Sequence, residues 1–430
     1  MPIIKYLLKI LARLILWRYR PQVVGITGSI GKTSAREAIC TVLASRFRVR
    51  ASLKNYNNEI GLPLSIIGVP SPGKSLVGWI KIFIYACRLL VIKDKNFPEV
   101  LVLEMGVDHP QDMDYLLTIV KPNIGVITFV GPVHLEFFGS IENIQKEKAK
   151  LVANLAPDGW AILNYDNELT RQIGEKSKVK VITFGFGTKA DVRALETTYG
   201  YAHGEGNNIM GVNYKLSWRG SAVPVTLPRV LGKPPVYASL AAASVGIIFG
   251  LNLVEVSQAL LEFHSPKGRT NLLLGIKDTL IIDDSYNASP QSTCAAIDIL
   301  WEMPLGKEGG RRIAVLGDML ELGHFSGRAH REVGEYLAKA KIDFLVGVGE
   351  LVQHIIQGAR EARYPQSKIK FFADSLKAAE FLKSFLQPGD VILVKGSQGV
   401  RLERVVKAIM RHPERAEELL VRQGKEWQNK

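Results

Sequence analysis

Short apolar runs at residues 23–26, 100–103 and 124–129 stand between stretches whose apolar positions recur every three to four residues, notably 35–43 and 141–155. Runs of four to six apolar residues separated by helical periodicity predict a parallel sheet wrapped by helices. Residues 178–228 change character, with short strand-like runs among many glycines, and read as a small antiparallel subdomain. An alanine-rich helix over 236–249 follows. After a break at Ser265-Pro266-Lys267-Gly268 a second alternating series begins, with strands expected at 279–282, 313–316, 344–348 and 391–394. The expected class is therefore α/β. Residues 1–22 form an N-terminal helix, 23–265 a central parallel-sheet domain carrying the antiparallel subdomain, and 266–430 a Rossmann-like domain.

Residues 3–17 are almost wholly apolar except for Lys5, Lys9 and Arg13, whose four-residue spacing puts the charges on one helical stripe. A second apolar stretch, 76–92, carries only Lys81 and Arg88. Both are too short or too charged to span a bilayer. The pair reads either as a peripheral membrane contact through residues 1–20 and 76–92, or as two helices that pack on each other and on the core.

Composition sharpens this reading. Of the formal net charge of +14, the first 100 residues supply +12, with 16 Lys and Arg against 4 Asp and Glu. The basic character is local and keeps apolar company, so a nucleic-acid partner is not expected. Cys40, Cys87 and Cys294 lie far apart and form neither a metal-ligand spacing nor a disulfide framework. The expected home is the cytoplasm, at its membrane face if the basic helices dock there.

The most specific chemistry lies at Gly25-Ile26-Thr27-Gly28-Ser29-Ile30-Gly31-Lys32-Thr33-Ser34, between a predicted strand and a predicted helix. Glycines let backbone N–H groups point at phosphate oxygens, and the helix N-terminus adds partial positive charge. A lysine there reaches the outer phosphates, and the hydroxyl after it can ligate magnesium. The commonest nucleotide loop would place glycine at position 26, where this chain has Ile26; the spacing Thr-Gly-x-x-Gly-Lys-Thr-Ser does fit. Gly28, Ser29, Gly31, Lys32, Thr33 and Ser34 are the expected ATP contacts, with Mg2+ on Thr33.

Several polar segments follow in order: Asn55-Tyr56-Asn57-Asn58-Glu59-Ile60-Gly61-Leu62-Pro63, Glu104-Met105-Gly106, His134-Leu135-Glu136-Phe137-Phe138-Gly139, Glu147-Lys148, Gly268-Arg269, Asp283-Asp284-Ser285-Tyr286-Asn287-Ala288, Gly317-Asp318-Met319-Leu320-Glu321-Leu322-Gly323 and Lys395-Gly396-Ser397. From about residue 23 to about residue 410 this ordered set resembles the Mur ligases, and most of all the branch that adds D-alanyl-D-alanine to a UDP-N-acetylmuramoyl-tripeptide.

The resemblance implies an ATP-dependent amide ligase of peptidoglycan synthesis, forming ADP and phosphate through an acyl phosphate. Its partners would be a muramoyl-peptide acceptor and an amino acid or dipeptide. It implies that Glu104 and His134 hold magnesium, that Lys148 is the lysine the family carries as a carbamate, and that Arg269 meets ATP phosphate when the domains close. Asn58, Asp284, Tyr286 and Asn287 would face the nucleotide, and Lys395 and Ser397 the incoming amine. Lys146, two residues before Lys148, is the other lysine to which the carbamate role is open.

Two departures stand out. Only 24 residues precede Gly25, so the family's N-terminal domain for the UDP end is expected to be absent. In Gly232-Lys233-Pro234-Pro235-Val236-Tyr237-Ala238, Pro234, Pro235 and Ala238 stand where the family shows His-Asn and a further Asn. Two alternatives remain beside the leading reading: a folylpolyglutamate-type ligase with another acceptor, and a membrane-associated nucleotide-binding regulator without ligase activity.

Overall fold

The computed structural model describes residues 2–52, 56–201, 209–305, 309–424 and 427. The chain divides into two compact units. The first comprises Met1–Thr198, Val212–Pro228 and Lys233–His264; the second comprises Tyr199–Gly211, Arg229–Gly232 and Ser265–Lys430.

The first unit is built on strands β1 (Gln22–Thr27), β2 (Val49–Ala51), β3 (Val100–Glu104), β4 (Ile124–Ile127), β5 (Trp160–Asn164), β6 (Lys180–Gly185), β7 (Val192–Tyr201), β8 (Ile209–Trp218) and β9 (Ser221–Pro228). They form one sheet in the order β2-β3-β1-β4-β5-β6-β7-β8-β9. Pairing is parallel from β2 through to β7. The chain leaves β1 toward β3 and later returns to pair β4 on the other flank of β1, so the crevice at the carboxyl end of β1 is a topological switch point. β3 and β4 are buried along their whole length. That is why their sequences are unbroken apolar runs rather than alternating ones.

The helices of this unit are α1 (Pro2–Tyr19), α2 (Lys32–Ala44), α3 (Gly61–Ile67), α4 (Leu76–Val91), α5 (Asp112–Ile119), α6 (Leu135–Phe138), α7 (Ile141–Ala153), α8 (Glu168–Glu175), α9 (Lys233–Ile248) and α10 (Leu253–Leu260). In α7, Ser140 caps the N-terminus by accepting from Asn143 N at 3.3 Å. Its buried face carries Ile144, Lys148, Leu151 and Val152, at the three- and four-residue spacing of one helical stripe. Pro234 and Pro235 fall in the first turn of α9, where a missing N–H leaves no helical bond unmade.

The strands of 178–228 are built onto the central sheet: β6 pairs parallel with β5 and β7 with β6, and β8 and β9 extend the same sheet. A turn with Arg219 at φ 48° and Gly220 at φ 84° joins β8 to β9, the backbone a two-residue hairpin demands. Residues 202–208 of that region, and Asn55 of the asparagine motif, lie outside the described residues. The apolar run 124–129 leaves the sheet after Ile127, because Thr128 turns its hydroxyl back to Ile30 O at 2.6 Å. Finally, the stripe Lys5, Lys9, Arg13 does not face outward as a unit. Lys5 pairs with Glu59 and Lys9 sits 5.2 Å from the Tyr115 ring centroid, while Leu8, Ala12 and Ile15 are buried in the core.

The second unit holds β10 (Asn271–Leu274), β11 (Leu280–Asp284), β12 (Arg312–Gly317), β13 (Phe344–Val348), β14 (Ile369–Phe372) and β15 (Val391–Lys395), in the order β10-β11-β15-β12-β13-β14. All pairs are parallel except β10 with β11. Apolar side chains cover both faces of the sheet. The carboxyl ends of β11, β15 and β12 bring Asp284, Lys395 and Gly317 to one edge.

Candidate active site

In the first unit, β1 ends at Thr27 and α2 starts at Lys32, with Gly31 as its N-terminal cap at φ 86°. Gly28 has φ 150°, and a Cβ there would lie 2.1 Å from Thr128 Oγ1. The loop is pinned from outside: Ser29 Oγ donates to Gly131 O at 2.9 Å and accepts from Gly131 N at 3.0 Å. Lys32 Nζ donates to Gly28 O at 2.6 Å, across the mouth of the loop. Ser34 lies in the first turn of α2. This is a helix N-terminus presented by a fixed turn, the geometry that binds phosphate.

Glu104 closes one side. It ends β3, is buried, and accepts from Thr33 Oγ1 at 3.3 Å through Oε2, while Arg36 Nη1 lies 3.0 Å from Oε1. Arg36 also donates to Ser52 O at 2.9 Å, and Ser52 Oγ accepts from Glu104 N at 2.9 Å. Burial alone would lower the Arg36 guanidinium, but Glu104 and Glu37 outweigh it and hold it above its ordinary value. One carboxylate is therefore gripped by a cation on one oxygen and offered to the loop on the other.

His134 has φ 53°, heads the short α6, and places Nε2 3.2 Å from Asp108 Oδ1. Lys148 is buried to 1% exposure, whereas Lys146 is exposed. Burial, then the charge of Lys32, push the Lys148 ammonium down to about 7, against the opposing pull of Asp108 and Glu147. Lys148 thus shares its electrostatic surroundings with Lys32 of the loop and with Asp108, the partner of His134. Asn58 Oδ1 accepts from Ile60 N at 3.2 Å and Gly61 N at 2.9 Å, which fixes the turn leading into α3. A Cβ on Gly106 would meet Asn57 Nδ2 at 2.5 Å, so the asparagine segment crosses tightly over the end of β3.

The Thr33 hydroxyl and Glu104 carboxylate are hard oxygen donors. Among the described residues no group of three or more His, Cys, Asp and Glu is placed to hold a metal ion. That donor set suits magnesium, which takes one or two protein ligands and completes its shell with phosphate oxygens and water.

The second unit has its own cluster. Asp284 Oδ2 accepts from Lys395 Nζ at 2.6 Å, both side chains being buried, and Oδ1 accepts from Thr270 N at 3.2 Å. Lys395 also donates to Asn287 O at 3.0 Å, and burial outweighs its anionic partner to hold its ammonium below the ordinary value. Ser397 Oγ accepts from Leu320 N at 2.9 Å. The Arg269 guanidinium stands 4.2 Å from the centre of the Tyr286 ring. Lys395 and Ser397 are therefore interior hydrogen-bonding groups rather than exposed ones.

Three further residues belong to these clusters. Arg36 follows Thr33 by three residues, so helical spacing alone places it on the face of α2 that carries Thr33. Asp108 lies two residues past Gly106 and carried no separate signal. Arg422, which donates to Ser285 O at 3.2 Å and to Tyr286 O and pairs with Glu403, sits in the C-terminal tail beyond every recognised segment.

Two family models match the chain: Mur ligase middle domain over residues 87–246, and Mur ligase, glutamate ligase domain over residues 268–398. The UDP-N-acetylmuramoyl-tripeptide–D-alanyl-D-alanine ligase of Bacillus subtilis (strain 168) is 30% identical over 404 residues, covering 94% of this chain and 79% of that protein. The enzyme of the same name from Escherichia coli (strain K12) is 29% identical over 90% of this chain and 76% of its own. Among solved structures, the MurF ligase of Thermotoga maritima in complex with ADP superposes with a TM-score of 0.75 at 27% identity, covering 95% of this chain and 84% of that one.

Proposed function

The chain belongs to the Mur ligase family, and from that premise we propose that it joins D-alanyl-D-alanine to the tripeptide carboxyl group of a UDP-N-acetylmuramoyl-tripeptide, converting ATP to ADP and phosphate. The observation that carries this reading is the buried Glu104 carboxylate, clamped by Arg36 and presented to Thr33 at the mouth of the glycine loop.

Joining a carboxylate to an amine in water is uphill, so the carboxylate must first become an acyl donor. A carboxylate oxygen of the acceptor attacks the γ-phosphorus and the bond to ADP breaks, giving an acyl phosphate. The dipeptide amine then attacks the acyl carbon; the C–O bond to phosphate breaks, and nitrogen loses a proton. Phosphoryl transfer is mainly positioning and charge neutralisation.

In this chain the loop N–H groups and Lys32 hold the phosphates in line. Thr33 and Glu104 would hold magnesium, with His134 the further contact the family resemblance implies, and the ion would supply further neutralisation of the phosphate oxygens. Asp108 orients the His134 ring, and Arg36 holds the Glu104 carboxylate toward Thr33.

Lys148 is suited to carry a carbamate. A buried amine lowered to about 7 is half neutral at neutral pH, and the neutral nitrogen attacks carbon dioxide, forming an N–C bond and releasing a proton. The resulting anion removes a buried positive charge beside Lys32. Within the second unit, Lys395 fixes Asp284 and the Asn287 carbonyl, the segment the resemblance assigns to the nucleotide. Lys395 and Ser397 act on the amine as positioning residues, through Asp284 and the Leu320 backbone.

The test is ADP formation over a matrix of acceptors and amines, with product mass. ADP release that requires both a muramoyl-tripeptide and D-alanyl-D-alanine, with a product heavier than the acceptor by the dipeptide less water, is expected. ATP turnover indifferent to the dipeptide would refute the assignment and favour a nucleotide-binding regulator.

A further inference from the structure

We propose that α1 and α4 together form a face that docks on a bilayer containing anionic lipid, lying within the headgroup layer. No helix among the described residues is long and apolar enough to cross a membrane. Each of these two helices has two apolar faces. One is buried: Leu8, Ala12 and Ile15 of α1, and Trp79, Ile82, Ala86 and Leu89 of α4, belong to the core of the first unit.

The other apolar face points to solvent. On α1 it is Ile3, Leu7, Leu14 and Trp17, with Trp17 71% exposed; on α4 it is Val77, Ile80, Ile84 and Val91, with Val91 79% exposed. These positions repeat every three to four residues or its double, so each set is one continuous stripe. The carboxyl ends of the two helices are tied together: Tyr19 Oη donates to Leu89 O at 2.9 Å and Arg18 Nη2 to Val91 O at 3.2 Å. More than half of the large apolar side chains exposed among the described residues lie on these two helices and on Ile92, which follows the second. Contiguous apolar exposure on this scale marks an interaction surface.

Charge selects the occupant. Residues 1–20 and 74–95 contain ten Lys and Arg and a single acid, Asp94. Arg13, Arg20, Lys74, Lys81, Arg88 and Lys93 are exposed. Apolar stripes flanked by basic side chains, with Trp17 and Tyr6 among the exposed groups, match the boundary between acyl chains and anionic head groups. A second copy of this chain would bring the same positive face against itself, which like-charge repulsion opposes.

The test is flotation of the full chain with vesicles of phosphatidylcholine alone and of phosphatidylcholine containing about one-third phosphatidylglycerol. The unaltered chain is expected to float with the anionic vesicles and to be released as salt rises toward ~1 M, where screening shortens to ~3 Å. Ile80→Ser/Ile84→Ser is expected to reduce recovery about tenfold by removing two inserted side chains, and Lys81→Glu/Arg88→Glu several-fold. Both variants should retain ligation of a soluble acceptor, so failure of docking and failure of the ligase reading are separable. Equal recovery on neutral and anionic vesicles, or none on either, would overturn the proposal. So would a concentration-dependent dimer that Ile80→Ser/Ile84→Ser dissolves while vesicle recovery stays unchanged.

Discussion

Replacing Lys148 with Met tests the electrostatics of the catalytic core through stability rather than turnover. Met keeps the apolar stem of the side chain and deletes the amine. In the unfolded chain the amine titrates near 10.5, and in the folded protein burial and Lys32 push it down to about 7. The charged form is thus disfavoured on folding by about 5 kcal/mol, and near pH 7, where half the folded molecules have lost the proton, the penalty is about 4 kcal/mol.

The sign follows from the lowered value. Between about 7 and 10.5 the unfolded chain binds more protons, so stability rises with pH by up to about 1.4 kcal/mol per pH unit. Below that window the full penalty applies, and above it none remains. Lys148→Met lacks this dependence. In carbonate-free buffer the variant is expected to be more stable than the unaltered chain by about 4 kcal/mol near pH 7 and by about 2 kcal/mol near pH 9. Urea unfolding, with the first unit's transition read by hydrogen exchange of α7 peptides, measures the gap. Bicarbonate should narrow it by converting the amine to an anion, while ligation is lost in the variant at every pH. A variant less stable than the parent near pH 7, or a gap indifferent to pH, would falsify the placement of Lys148 as a buried, desolvated amine.

Arg36→Met leaves the buried Glu104 without its cation and is expected to destabilise the first unit by about 3–5 kcal/mol. Adding Glu104→Gln should recover most of that stability in urea titrations without recovering turnover. Lys395→Met is expected to cost the second unit a similar amount, and Lys395→Met/Asp284→Asn much less, because burial already outweighs the attraction in this pair. Thermal unfolding of the two variants and the double variant measures the coupling. Gly28→Ala forces a Cβ onto Thr128 Oγ1 and strains a backbone at φ 150°, so nucleotide affinity measured by calorimetry should fall at least tenfold, with partial recovery on adding Thr128→Ala.

Local pattern carried much of this protein. The order of apolar run, glycine turn and helix at 23–43 is written in neighbouring residues, because a strand, a tight turn and a helix start each depend on side chains a few positions apart. The same holds for the buried runs of β3 and β4 and for the ordered polar segments that marked the family. Even the burial of Lys148 over Lys146 is implicit in helical spacing, since Lys148 shares a stripe with Ile144 and Leu151; only packing shows that this stripe faces the core.

What tertiary structure alone decided are the contacts between residues distant in sequence. Strands β6 to β9 looked separate because alternation tells which residues share a face and not which edge a strand joins; the parallel register of Lys180 with Trp160 made them one sheet. Arg36 with Glu104, Asp108 with His134 and Arg422 with Ser285 are pairs that no local propensity encodes. Lys5 and Lys9 show the same limit from the other side. Periodicity aligned them in a stripe, but Glu59 and Tyr115, brought in by distant parts of the chain, engage Lys5 and Lys9, while Arg13 and a second apolar face are left toward solvent.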